Sequence, residues 1–212
     1  MILGSDKANV GGGARGETFK TTAYPVELNG NSYNLHDTVG FGEHSEGTAD
    51  SIKAARNLYR LLIDLSNSGG VNLLVFVVRT GRLSENRVKN YRLFYEGFCQ
   101  SKVPIVIVVT GCETVEPPMN LWWTENKQWF TRAGMLFKGH ACVCAFKGTE
   151  AGGYQNANLV KESVEAVKQL VIQHCTSAGW TEVWHTFSRV QNSLKHFRFS
   201  HRFFGFKRFW DP

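Results

Sequence analysis

Long apolar runs are missing from this sequence, and their absence excludes one class of protein. The two longest runs, residues 73–78 and 103–109, are far shorter than the roughly 20 residues of a membrane-spanning helix. The N-terminal residues MILGSDKANV lack a basic stretch followed by an apolar one, so we expect no signal peptide. Hydrophobic residues make up 42% of the 212 residues and charged residues 20%, which argues against disorder across the whole chain.

Cysteine is scarce, and its pattern does not suggest a disulfide framework. There are five cysteines, an odd number, and no C-x-x-C motif occurs. We therefore predict free thiols in a reducing compartment, and hence a cytoplasmic protein. Cys142 and Cys144 lie two apart in an apolar segment, so on a strand both would point to the same face. A metal site there would need more ligands nearby, and buried structural thiols are the better interpretation.

The positive charge is concentrated near the end of the chain. Of the net charge of +6, residues 177–212 carry +4, because six Lys and Arg face only Glu182 and Asp211. Residues 1–176 therefore carry only +2, which does not predict a nucleic-acid partner. We predict two parts, a globular domain over residues 1–176 and a basic, aromatic tail over residues 177–212.

Strand-like and helix-like patterns alternate along the first part. Two short β-like runs, residues 24–28 and 32–36, are joined by Asn29-Gly30, a strong hairpin signal. Apolar residues then recur at helical spacing over residues 50–66. The alternation predicts an α/β fold with a doubly wound, mostly parallel sheet and helices on both faces. The later elements are strands at 71–79, 103–110 and 141–146, and helices around 88–98, 122–130 and 159–175.

A D-x-x-G motif stands where the second strand of the hairpin ends. A carboxylate at that point, Asp37, can hold Mg²⁺ directly or through water, and the amide of Gly40 can reach a γ-phosphate. The motif alone is weak evidence, because an ordinary Asp at a strand end has the same sequence. Its neighbours make the interpretation more specific.

Four segments together resemble the successive motifs of a P-loop GTPase, and in particular its septin-like branch. That branch includes the immunity-associated GTPases, the chloroplast import-receptor GTPases and G-domain proteins of mushroom-forming fungi, which this sequence resembles most. The resemblance implies the P-loop NTPase fold, binding of GTP or GDP with Mg²⁺, a switch or scaffold role, and a possible homodimer through the G domain. The segments are Gly16-Glu17-Thr18, Asp37-Thr38-Val39-Gly40, Thr110-Gly111-Cys112-Glu113 and Cys144-Ala145-Phe146-Lys147-Gly148.

The resemblance assigns the phosphate and metal contacts to the N-terminal motifs. Thr18 matches the switch threonine that closes over Mg²⁺ and the γ-phosphate, and a solvated loop threonine is the alternative. Asp37 and Gly40 match the second switch. Phe41 occupies the place where many small GTPases carry a glutamine that orients water, and a phenyl ring cannot do this. GTP hydrolysis is therefore expected to be slow or to depend on a partner, and enzymatic activity stays open.

The resemblance assigns the base contacts to the two later motifs. Thr110 fits the guanine-binding motif, and Glu113 replaces its usual aspartate while keeping a carboxylate for the guanine N1 and N2 hydrogens. No lysine follows Thr110, so the packing over the base that such a lysine gives is missing. In the last motif the backbone of Ala145 would face the guanine carbonyl, and Lys147 would cover the base or remain an exposed loop lysine.

The phosphate loop itself has no match in this sequence. No G-x-x-x-x-G-K-[ST] occurs, and the similar stretch at residues 11–18 has Glu17 in place of the lysine, which would repel polyphosphate. We expect Met1-Ile2-Leu3 to be the end of the helix that follows the loop in the family, so that the chain is truncated at its N-terminus. We therefore predict weak or no nucleotide binding and a sheet of at most five strands. The alternative is a pseudo-GTPase interaction module that binds no nucleotide.

The tail has its own pattern. Apolar residues from Trp180 recur at steps of three and four, which predicts an amphipathic helix with basic residues beside the apolar stripe. Such a helix suits an anionic membrane surface or a groove on a protein partner. The alternative is that the stripe packs on the domain itself.

Overall fold

A computed structural model describes residues 22–38, 49–115, 118–149 and 155–182, with the backbone alone at 22 and 49–56. The described residues fall into two compact units. The sheet unit comprises residues 72–88, 103–115, 118–149 and 155–177, and the hairpin unit comprises residues 22–38, 49–71, 89–102 and 178–182. The predicted division of the chain near residue 176 stays a prediction.

The hairpin unit begins with the predicted antiparallel pair. Strand β1 (Thr22–Leu28) pairs with strand β2 (Asn31–Asp37) over its whole length. Asn29 and Gly30 form the turn with φ of 49° and 76°, the left-handed conformation that these two residue types tolerate best. The prediction of a hairpin around Asn29-Gly30 is confirmed.

Aromatic rings join the helical parts of the hairpin unit. Helix α1 (Ala49–Asn67) confirms the helix predicted over residues 50–66. Helix α2 (Glu85–Tyr91) continues as a π-helical segment, Arg92–Phe98. The Tyr59 ring of α1 lies 5.6 Å from the Phe98 ring, and Phe94 lies 5.7 Å from Phe98. The sequence predicted this helix but not its change to π geometry.

Two short chain segments meet closely in the hairpin unit. Val71 and Trp180 form an antiparallel bridge in which each N–H donates to the other carbonyl, at 3.0 and 2.9 Å. Gly70 lies against the backbone of this second segment, where a Cβ would approach the Trp180 carbonyl oxygen to 2.6 Å. The prediction that a helix starts at Trp180 is wrong at its first residue, because Trp180 is extended and residues 181–182 are not helical. The rest of that predicted helix lies outside the described residues.

The sheet unit contains a parallel three-stranded sheet. Its strands are β3 (Leu74–Arg79), β4 (Ile105–Thr110) and β5 (His140–Cys142), in the order β3-β4-β5. Helices α3 (Leu121–Arg132) and α4 (Ala157–His174) follow β4 and β5 in the chain. The α/β class with a parallel sheet is therefore confirmed. The described residues contain five strands, but these form two separate sheets of two and three strands rather than the one sheet expected.

The central strand of this sheet is buried on both faces. On one face, Val106 and Val108 of β4 pack with Val167 and Leu170 of α4. On the other face, Ile105, Ile107 and Val109 of β4 are also buried, and next to them the Trp123 ring of α3 stacks on His140 of β5 at 5.3 Å.

Strand β3 differs from β4, although the predicted fold has helices on both faces of the sheet. Val75 and Val77 are 38% and 60% exposed, and they pair with Val106 and Val108 on the face that α4 covers. Helix α4 packs over β4 and β5, so among the described helices of the sheet unit none covers this face of β3. In the described part of the chain, no helix is both long and apolar enough to cross a membrane.

Candidate functional site

The loop that leaves β4 is tied back to β3. The Thr110 hydroxyl donates a hydrogen bond to the Val78 carbonyl at 3.3 Å, and the Thr80 N–H donates to the Thr110 carbonyl at 2.8 Å. Gly111 has a φ of 81°, and a Cβ there would lie 2.9 Å from the Thr80 hydroxyl oxygen. A lysine at position 111 would therefore be strained and crowded, which gives a structural reason for its absence.

A single backbone hydrogen bond joins the loops that follow β4 and β5. Cys112 begins a short 3₁₀ turn, Cys112–Thr114, and its N–H donates to the Val143 carbonyl at 3.2 Å. The Val143 N–H in turn donates to the Val109 carbonyl at 2.7 Å. The structure thus brings Thr110 and Glu113 to the same edge of the sheet as the loop that carries Ala145 and Lys147.

The start of α4 holds the loop that follows β5. The Cys144 N–H donates to the Ser163 hydroxyl at 2.9 Å, inside the protein. Asn156 donates from its backbone to the Lys147 carbonyl and from its side chain to the Phe146 carbonyl, both at 3.1 Å. Ala145 and Lys147 are exposed, and the Ala145 N–H has no hydrogen-bond acceptor among the described residues.

Glu113 lies partly inside the protein. Its Oε2 atom is buried and has no hydrogen-bond partner among the described residues. The Cys144 thiol forms a hydrogen bond with the carboxylate: burial raises the pKa of Cys144, and the negative charge of Glu113 and this hydrogen bond add to the rise. A buried carboxylate oxygen without a donor is costly, so Glu113 suits a ligand that brings N–H groups or a role inside the protein.

Two thiols meet at the same edge of the sheet. The Cys142 thiol donates a hydrogen bond to the Cys112 sulfur, which lowers the pKa of Cys112 and raises that of Cys142. Cys112 and Cys142 are 0% and 4% exposed, and all five cysteines are free thiols. The predictions of free thiols and of buried Cys142 and Cys144 are confirmed.

Two of the three predicted phosphate and metal contacts, Thr18 and Gly40, lie outside the described residues. Asp37 is the last residue of β2, as predicted, and its exposed carboxylate makes no hydrogen bond to the described residues. An uncommitted carboxylate fits one oxygen ligand of Mg²⁺. Within the described ranges, no group of three or more His, Cys, Asp or Glu side chains is arranged to hold a metal ion. The Mg²⁺ expectation therefore stays a prediction.

Two residues of this edge were missed in the sequence. Ser163 is 1% exposed and links α4 to Cys144, and Asn156 precedes α4 and binds the loop at two carbonyls. Ser163 lies at helical spacing between the inward-facing Val160 and Val167, so its position on the buried face could have been found. Asn156 gives no such periodic signal.

Comparison with known proteins does not assign the chain to a family. No family model matches it, and no curated protein matches it. One solved structure, described as a mutation variant of SsGBP, covers 72% of this chain at 15% identity with a TM-score of 0.38. This chain spans 48% of that chain, about half of its length. A TM-score this low does not establish a shared fold.

Proposed function

We propose that the carboxyl edge of β4 and β5 is the base-binding half of a guanine-nucleotide site in a GTPase-like domain. In this proposal the Glu113 carboxylate accepts hydrogen bonds from N1–H and N2–H of guanine. The Ala145 N–H donates to the guanine carbonyl, and the Lys147 stem covers the base. Asp37 contributes to binding of Mg²⁺, and the protein acts as a switch or scaffold with slow or partner-dependent hydrolysis.

The hydrogen bond from the Cys112 N–H to the Val143 carbonyl carries this proposal. It joins the two loops that the family resemblance identifies separately, although more than 20 residues separate them in the sequence. Parallel α/β sheets bind ligands beyond the carboxyl ends of their strands, which is where both loops lie. Two groups support this match, because the Ala145 N–H has no acceptor and the Glu113 Oε2 atom has no donor among the described residues. They suit the acceptor and donor edges of guanine.

A second function, an interaction module that binds no nucleotide, is favoured by one observation. The Oε2 atom of Glu113 is buried, so one carboxylate oxygen is withdrawn from solvent rather than presented to a ligand. The resemblance-based predictions of a homodimer through the G domain and of tail binding to a membrane or a protein apply to either function.

Ligand-observed NMR would test the base site, because it detects the weak binding expected of this chain. Saturation transfer to the H8 proton of GDP and of ADP should give a stronger signal for GDP. Glu113→Ala should weaken GDP binding about tenfold, the effect of losing about 1.5 kcal/mol of charge-assisted hydrogen bonding. ADP binding should change little, because adenine offers no matching pair of donors.

Glu125→Ala is the matched control, because Glu125 is an exposed carboxylate of α3 in the same unit. It should leave GDP binding unchanged. Equal losses for GDP and ADP in Glu113→Ala would show that Glu113 does not recognise guanine. No transfer to either nucleotide from a folded chain would favour the interaction module.

A further inference from the structure

The sheet unit contains a pair of thiols that the proposed nucleotide site does not use. Cys112 is the first residue of the 3₁₀ turn that carries Glu113, and Cys142 is the last residue of β5. Val109 of β4 pairs with Cys142, and the Cys112 N–H reaches the carbonyl of the next residue, Val143. The backbone therefore places the two cysteines side by side, 30 positions apart in the sequence.

The side chains distinguish this pair from the third cysteine nearby. The Cys142 thiol donates to the Cys112 sulfur, while the Cys112 thiol donates to the Val109 carbonyl at 3.4 Å. The Cys144 thiol instead donates to the Phe146 carbonyl at 3.2 Å. Cys112 and Cys142 are thus already in contact, whereas the Cys144 thiol makes its hydrogen bonds with Phe146 and Glu113.

We propose that Cys112 and Cys142 form an oxidisable dithiol, whose disulfide locks the Glu113 turn onto the end of β5. The oxidant is a peroxide. The Cys112 thiolate attacks one peroxide oxygen, giving a sulfenic acid and releasing hydroxide, which takes up the proton lost from Cys112 to form water. The Cys142 thiol then attacks the sulfenic sulfur and displaces a second water. Overall, two thiols and one hydrogen peroxide give one disulfide and two waters.

The hydrogen bond between the thiols makes Cys112 the better nucleophile. It stabilises the Cys112 thiolate, and Cys142, which keeps its proton more firmly, is the resolving residue. Both sulfurs are buried, so the peroxide must enter during local opening of the turn, and the reaction is slower than at an exposed thiol. Cys175, which is partly exposed, serves as an internal reference for how far peroxide reacts with an accessible thiol.

The disulfide should alter the site that holds Glu113. A disulfide holds its two Cβ atoms about 3.5–4.5 Å apart, which restricts the 3₁₀ turn relative to β5. Formation of the disulfide does not depend on the proposed function, but an effect on nucleotide binding does. If guanine binds between these loops, oxidation should change GDP affinity, and reduction should restore it.

Peptide mapping of the complete chain tests the proposal. The folded protein is treated with hydrogen peroxide, its remaining thiols are alkylated under denaturing conditions, and it is digested without reduction. We expect the intact mass to fall by two hydrogens, and one cross-linked peptide pair to join Cys112 to Cys142. Free, alkylated Cys112 and Cys142 in protein whose Cys175 has been oxidised would overturn the proposal. So would a cross-link to Cys144, or a disulfide between two chains.

Variants define the roles of the two sulfurs. Cys142→Ser should abolish the cross-link and leave a Cys112 sulfenic acid that dimedone traps, whereas Cys144→Ser should retain the cross-link. The wild-type map decides the question even if a serine variant fails to fold. A cross-link without any change in GDP binding would support the dithiol and count against the base site. A wild-type map without the Cys112–Cys142 cross-link, together with intact GDP binding, would count against the dithiol and support the base site.

Discussion

The two units of this protein position their connecting segments by different contacts, although aromatic rings pack together in both. In the hairpin unit, two segments touch backbone to backbone at Gly70 and Trp180. In the sheet unit, hydrogen bonds to buried groups, such as the Ser163 hydroxyl and the Val143 carbonyl, set the positions of the loops.

This difference determines what each unit tolerates. A backbone-to-backbone contact leaves no room for a side chain, whatever its chemistry. A hydrogen-bonded loop tolerates changes in side chain as long as its buried polar groups keep their partners. The predicted base site lies in loops of the second kind. The side chain at position 113 can therefore vary while the two loops stay joined through backbone atoms, whereas the positive φ of Gly111 restricts position 111.

The largest expected effect is in the hairpin unit, from Gly70→Ala. Gly70 has a φ of 89°, and a Cβ there would lie 2.6 Å from the Trp180 carbonyl oxygen and from the Gly179 carbonyl carbon. We expect a loss of about 3 kcal/mol or more in unfolding free energy, measured by urea denaturation.

Two glycines serve as controls for this substitution. Gly69 has a φ of 109° with open space around its Cβ position, so Gly69→Ala should cost only about 1–2 kcal/mol of backbone strain. In the sheet unit, the atoms nearest to a Cβ at Gly139 are side-chain ends of His174 and Leu170, which can move, so about 1 kcal/mol is expected. Equal losses of unfolding free energy in Gly69→Ala and Gly70→Ala would show that the contact with the Trp180 backbone adds nothing to the cost of the substitution.

A smaller effect is expected from the hydrogen-bonded loop of the sheet unit. Ser163→Ala removes the acceptor of the buried Cys144 N–H, which should cost about 1–3 kcal/mol in thermal or urea unfolding. Ser66 of α1 is also buried, but its hydroxyl only donates to the Ile63 carbonyl of its own helix at 2.7 Å. Ser66→Ala should therefore cost less than about 1 kcal/mol. A larger loss of unfolding free energy in Ser66→Ala than in Ser163→Ala would contradict the expected difference between the two units.

The smallest effect concerns pH and an isolated thiol of the hairpin unit. Burial raises the pKa of Cys99 to about 12 from its ordinary value of 9.0. Because the unfolded thiol ionises first, the stabilisation is complete below about pH 9 and is lost as pH rises from there toward 12. By pH 10 we expect a loss of roughly 1 kcal/mol relative to Cys99→Ala, measured as unfolding free energy against pH. Parallel pH profiles for the two proteins would rule out this contribution.

Much of the fold could be predicted because its signals are local. Asn29-Gly30 sets the hairpin turn, since both residues tolerate positive φ. Helical periodicity located α1 and α4 to within a few residues. The π-helical segment Arg92–Phe98 could not be predicted, because its apolar spacing is close to that of an α-helix.

The site could be predicted only in part. The motifs indicated Thr110, Glu113, Ala145 and Lys147, and the structure places all four at one edge of one sheet. It also shows what no motif contains, namely the hydrogen bond from Cys112 to Val143 and the buried Oε2 atom of Glu113. These features depend on partners that are distant in the sequence.

The sequence by itself determined the local elements of this protein, because turn residues and apolar periodicity act over only a few neighbouring positions. The number and spacing of the cysteines also predicted free thiols, which the structure has. Only the tertiary structure decided which strand is covered on both faces and which thiols meet. Burial depends on where α4 packs, and the contact between Cys112 and Cys142 depends on strand pairing across 30 positions.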